Sequence, residues 1–219
     1  MLFRSLFVFL SMLAYSSQDL VLEPFAGAIF GMSPGETTQL SGVHHSGVLV
    51  GMLAVALAGS RRVAGRLGSV QAWMVGGCLI SALAMAGLAM AGLQGGTWPL
   101  KANVVLLGMA NGAFSIAAIA TMMRLANAGA GDSQGTRMGL WGAAQALAFG
   151  LGGVLGTALS DAAHGLWAES GWAYASVFSM EAVMFMVSAL CAVHVGRTNL
   201  AHSKLDLSAA PVMGQKGLS

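Results

Sequence analysis

Charge is what this sequence has least of. Ten Lys or Arg and eight Asp or Glu amount to 8% of 219 residues, against about 25% in ordinary soluble domains. A chain of this size could not cover a water-facing surface with so few charged side chains, which excludes a soluble globular domain. Nucleic acid is also excluded as a partner, because the formal net charge is only +2 and the basic residues are scattered over separate segments. Cysteine is nearly absent. Cys78 and Cys191 each lie within an apolar run, so they form no disulfide framework or zinc pattern and read as small buried hydrophobes. The sequence has no nucleophile elbow, no HExxH helix and no glycine loop leading to a phosphate-binding Lys. An enzyme is not expected, nor a metal held by the protein's own ligands.

What the sequence does have is apolar length. Hydrophobic residues make up 56% and the mean hydropathy is +0.74. Six apolar runs cover about 2–22, 40–58, 70–93, 104–123, 138–159 and 174–195, each close to the ~20 residues that a bilayer core requires. The expected fold class is therefore an all-α membrane protein. A six-helix transmembrane domain over 1–197 would be followed by a flexible tail over 198–219, short of bulky apolar residues. Arg4 and the apolar stretch to Ala14 also resemble a secretory signal. Against that reading, the apolar run continues towards Leu22 and no small-x-small cleavage site precedes Gln18.

The basic residues orient the spans. With the N-terminus inside, the cytoplasmic segments hold Arg4, Arg61, Arg62, Arg66, Arg124, Arg137, Arg197, Lys204 and Lys216, and the external loops hold only Lys101. Nine against one is a strong positive-inside bias, so both ends are expected in the cytoplasm. Glycines recur four apart at Gly47 and Gly51, Gly108 and Gly112, and Gly152 and Gly156. Each pair shares one helix face and would let a neighbouring backbone approach closely.

Ionisable groups inside a bilayer cost about 2.5–3.5 kcal/mol at a helix centre, so each calls for a reason. Ser11, Tyr15, Asp19 and Glu23 stand at successive i,i+4 positions on one face of the first span. Pro24 is expected to end that helix near Glu23. His44 and His45 lie just inside the second span, Asn111 a few residues inside the fourth and Glu181 about two turns inside the sixth. By depth alone all of them belong to the outer half of the membrane. Asp19 and Glu23 suit either a wet interface or a cavity, and Asn111 either an interhelical hydrogen bond or a ligand contact. Glu181, about 10 Å into the bilayer, should face a partner or a cavity rather than lipid.

Several stretches carry a family resemblance. Gln18-Asp19-Leu20-Val21-Leu22-Glu23-Pro24-Phe25-Ala26-Gly27 is followed by Phe30-Gly31-Met32-Ser33 and Gly35-Glu36-Thr37-Thr38. Together they resemble the signature of PucC-type proteins, the bacteriochlorophyll-delivery branch of the major facilitator superfamily. Gly108-Met109-Ala110-Asn111-Gly112-Ala113-Phe114, Met138-Gly139-Leu140-Trp141-Gly142-Ala143-Ala144-Gln145-Ala146 and Tyr174-Ala175-Ser176-Val177-Phe178 ahead of Glu181 are similar to the same family. The resemblance implies half of a twelve-helix bundle, its helices seven to twelve. The basic stretch with Arg61, Arg62 and Arg66 sits where facilitators carry a cytoplasmic loop, but it lacks that loop's Asp.

The function so implied is assembly of bacterial light-harvesting complexes in the inner or intracytoplasmic photosynthetic membrane, by handling bacteriochlorophyll or its apoproteins. A small-solute transporter and a truncated half-transporter that needs a partner chain are the alternatives. Expected pigment-contacting or cavity-lining residues are Asp19, Glu23, His44, His45, Asn111, Gln145 and Glu181. His44 is a candidate axial ligand to a pigment's magnesium, with Gly47 and Gly51 leaving room for a flat ring, or else a packing histidine. Asp19, His44, Asn111 and Glu181 would line the face presented to a second membrane chain. That chain would be an N-terminal half, a second copy, or light-harvesting or reaction-centre subunits.

Overall fold

The structure is a computed structural model, and it describes residues 2–59, 69–127 and 134–209. Six α-helices carry the chain: α1 (Leu2–Phe30), α2 (Pro34–Ala58), α3 (Val70–Gln94), α4 (Leu100–Asn127), α5 (Gln134–Leu166) and α6 (Ser170–Ala209), with a short 3₁₀ turn at Gly95–Thr97 after α3. The described residues contain no strand. Among the described residues, five helices, α2 to α6, are long and apolar enough to cross a bilayer.

The helices start and stop for local reasons. At the head of α2, the backbone N–H and the hydroxyl of Ser33 both donate to Glu36 at 2.8 Å, and Pro34 occupies the first turn, where its missing N–H costs nothing. Ser69 caps α3 by accepting from the Ala72 N–H at 3.2 Å. α1 ends at Gly31, whose φ of 65° lets its N–H reach the Gly27 carbonyl at 3.1 Å. That is the left-handed glycine cap.

One sequence expectation is corrected here. α1 does not end near Glu23, because Pro24 lies inside a helix that runs on to Phe30. Proline removes one hydrogen bond from the helix, and packing of the next turn offsets that loss. Phe25 and Ala26 are fully buried, and the Phe25 ring meets Phe178 at 4.8 Å and Tyr174 at 5.4 Å. α6 continues to Ala209. At 1.5 Å per residue its 40 residues run to about 60 Å, twice the hydrocarbon thickness of ~30 Å. Residues 210–219 lie outside the described residues.

The packing order is not the chain order. α2 lies mainly on α4, α3 on both α6 and α4, and α1 on α5 and α6. Glycine sets the closest approaches. Gly47 and Gly51 of α2 face Gly108 and Gly112 of α4, and a Cβ added at Gly47 would sit 2.8 Å from the Val105 carbonyl oxygen. Gly152 and Gly156 of α5 lie against Leu13, Ser16 and Ser17 of α1. The backbones touch there, which is how small residues favour helix association in a bilayer. Cys78 and Cys191 are free and buried, as small apolar groups.

Candidate functional site

Polar residues of α1 face two neighbours. Ser17 turns towards α6 and donates to the Glu181 carboxylate at 2.6 Å. Glu181 is fully buried, and its second oxygen has no hydrogen-bond partner. Gln18, next to Ser17 in the chain, is buried with both amide atoms unpartnered. Asp19 turns instead towards α2, where its Oδ1 lies 3.5 Å from Nδ1 of His44. One turn further on, the Glu23 carboxylate accepts from the Ser41 hydroxyl at 2.7 Å.

On α2 the two histidines differ sharply. His44 is 1% exposed, and its Nε2 is buried without a partner. Its ring lies 6.4 Å from that of Tyr15 and 5.2 Å from that of His45, centroid to centroid. His45 is exposed, and its Nδ1 is 2.8 Å from the carbonyl of Ser41. Since a carbonyl only accepts, Nδ1 carries the proton and Nε2 keeps the free lone pair. Asp19, His44 and His45 each place one donor atom within 4.8 Å of the others.

The remaining expected site residues lie apart from this cluster. Asn111 is fully buried and accepts from Ser81 at 2.8 Å, tying α4 to α3. Gln145 is half-buried on α5. It sits seven residues before Gly152, whose level on α1 is that of Leu13 and Ser16, so it falls about 10 Å short of that level at 1.5 Å per residue. Arg61, Arg62 and Arg66 lie outside the described residues.

His44, Asn111 and Glu181 do not face outward from this chain, because its six helices bury all three. Nor do Gly47 and Gly51 leave a slot for a flat ring, since α4 fills that face. One nitrogen of His44 faces Asp19 and the other is enclosed. A chlorophyll-type macrocycle therefore does not fit on His44 in this arrangement.

Apolar grooves on the outside of the bundle offer more room. One of 540 Å³ runs between α3 and α6 and is lined by Leu93, Trp167, Trp172, Ser176 and Ser179. The two tryptophan rings stack there at 5.9 Å. A second, of 420 Å³, lies among α2, α3 and α4 beside Trp73, Gly77 and Met109.

Comparison with known proteins decides the family. The sequence profile described as PUCC protein matches residues 1–200. The chain belongs to the PUCC family. It is 47% identical over 190 residues to a Rhodobacter capsulatus protein named bacteriochlorophyll synthase 44.5 kDa chain, covering 86% of this chain and 43% of that one. It is 31% identical over 185 residues to Protein PucC of the same organism, covering 82% and 38%. Protein PucC of Cereibacter sphaeroides is 27% identical over 212 residues, covering 90% and 42%. The chain thus spans less than half the length of these curated relatives. No solved structure matches it. Its apolar helices and its PUCC membership together make it a multi-pass membrane protein.

Proposed function

We propose that this PUCC-family chain serves in the membrane assembly of bacterial light-harvesting complexes, handling bacteriochlorophyll or the light-harvesting apoproteins. The observation that carries the reading is the match of the PUCC family over residues 1–200, together with relatives whose names refer to bacteriochlorophyll synthase and to PucC. The word synthase belongs to one relative's name, and we read the present chain as a binding protein. Its buried polar pairs, Ser17 with Glu181 and Ser81 with Asn111, tie helices together. The surfaces free to meet a cargo are apolar grooves lined by Trp73, Trp167 and Trp172.

Six spans with both ends in the cytoplasm of a photosynthetic inner membrane complete the proposal, on the nine-to-one distribution of basic residues. The architecture we propose is the second half of a facilitator-type bundle, with another membrane chain beside it. Support for the partner comes from the surface. α5 and α2 bury smaller shares of their residues than α3 and α4, and Leu140, Leu147 and Val154 on α5 are more than 60% exposed.

The test is isolation of the tagged chain from the photosynthetic membranes of its own organism, followed by an absorption spectrum and identification of co-purifying polypeptides. Bacteriochlorophyll absorption or light-harvesting apoproteins are expected. A colourless preparation free of light-harvesting polypeptides would contradict the reading.

A further inference from the structure

The seam between α1 and α2 holds a cluster of ionisable side chains that lies outside the two apolar grooves. Asp19 of α1 lies near two consecutive histidines of α2, and the three donor atoms fall within 4.8 Å of one another. Adjacent residues on a helix point about 100° apart and do not normally converge. They meet here because the Asp19 carboxylate of the neighbouring helix lies within reach of both rings.

The contacts of these side chains are poor as hydrogen bonds. The 3.5 Å between His44 Nδ1 and Asp19 Oδ1 exceeds the 2.7–3.2 Å of an N–H···O bond. It is close to the edge of a tetrahedral metal site, about 3.4 Å for donors 2.0–2.1 Å from the ion. The other nitrogen of His44 has no partner, although the residue is 99% buried. A cation between Nδ1 and Asp19 would replace that long contact with two bonds to the ion, with the ring's proton on the enclosed Nε2.

His45 makes a hydrogen bond of the kind that orients metal-bound histidines. Its Nδ1–H donates to the Ser41 carbonyl at 2.8 Å, which fixes the ring and leaves Nε2 as the coordinating nitrogen. The ring is exposed, and His45 has a donor atom within 4.8 Å of those of Asp19 and His44.

We propose that Asp19, His44 and His45 form a binding site for a first-row divalent transition metal of the Zn²⁺ class. Two imidazoles and one carboxylate are a borderline donor set that suits zinc, cobalt or nickel better than magnesium or calcium. Three protein ligands leave a fourth position open, as in zinc sites that bind a further ligand. The ion would also fasten a weak seam. α2 packs chiefly on α4, and α1 chiefly on α5 and α6, so a shared metal would tie these two parts of the bundle together. This inference does not depend on the cargo proposed above.

The experiment uses the full chain in detergent, stripped with a chelator and then equilibrated with Zn²⁺ or Co²⁺. One metal ion per chain is expected by elemental analysis, with cobalt giving the visible ligand-field bands of nitrogen and oxygen coordination. His45→Ala, at an exposed position, and Asp19→Asn should each weaken binding at least about tenfold. Both should keep the elution volume and helical content of the parent. Parent protein that takes up no stoichiometric metal would overturn the proposal. So would folded variants that bind zinc as tightly as the parent, since the metal would then be held elsewhere on the chain.

Discussion

Ser17 on α1 and Glu181 on α6 are joined by a 2.6 Å hydrogen bond inside the bundle, 164 residues apart in sequence. The hydroxyl gives the buried carboxyl group a donor that hydrocarbon cannot supply. It is a polar link between α1 and α6.

Glu181→Leu removes the acceptor and leaves the Ser17 hydroxyl buried, at an expected cost of about 1–3 kcal/mol. Glu181→Gln keeps an acceptor and should cost less. Denaturation of the purified variants in detergent checks the order. A Leu variant more stable than the parent would make the carboxylate incidental to the fold.

Close approach of α2 and α4 rests on glycine, which gives a test with its own control. A Cβ at Gly112 would run into the Val48 backbone, whereas one at Gly142 meets nothing within 4 Å. Gly112→Ala should therefore cost about 1–3 kcal/mol as overpacking. Gly142→Ala should be neutral or slightly stabilising by helix propensity, at up to about 1 kcal/mol. Equal effects of the two substitutions would argue against the backbone contact.

How much of this was legible beforehand depended on what hydropathy can encode. Six helices appear where six apolar runs stand, but each of α2, α4, α5 and α6 begins before its run. Hydropathy marks the part of a helix that suits lipid, not the end of its hydrogen bonding. The glycine pairs were readable as contact points, yet nothing in their spacing named the neighbour, and Gly47 and Gly51 turned out to meet α4. Depth placed Asp19, His44, Asn111 and Glu181 at similar levels but gave no direction around each helix axis. Asn111 consequently faces α3 while Glu181 faces α1. Asp19, His44 and His45 were each expected as site residues, but their convergence was not readable, because they stand on two helices and follow no local spacing. The adjacency of His44 and His45 was the available signal.

Orientation is tested with reporter fusions. Fusions at Gly95 and Ser170 should report the outside, and fusions at Gly65 and Gly131 the cytoplasm, following the basic residues. An external Gly65 would overturn the proposed topology.

A partner chain is expected over the exposed side of α5. Photo-cross-linking residues at Leu147 or Val154, which are 64% and 66% exposed, should give an adduct heavier than the 22.2 kDa chain in native membranes. A stable, active species of that mass with no bound protein would defeat the expectation.

The assembly role is tested most directly by deleting the gene in its own organism and measuring the light-harvesting absorption bands of isolated membranes, normalised to total bacteriochlorophyll. The account predicts a loss of those bands that the restored gene reverses. Bands unchanged by the deletion would contradict it.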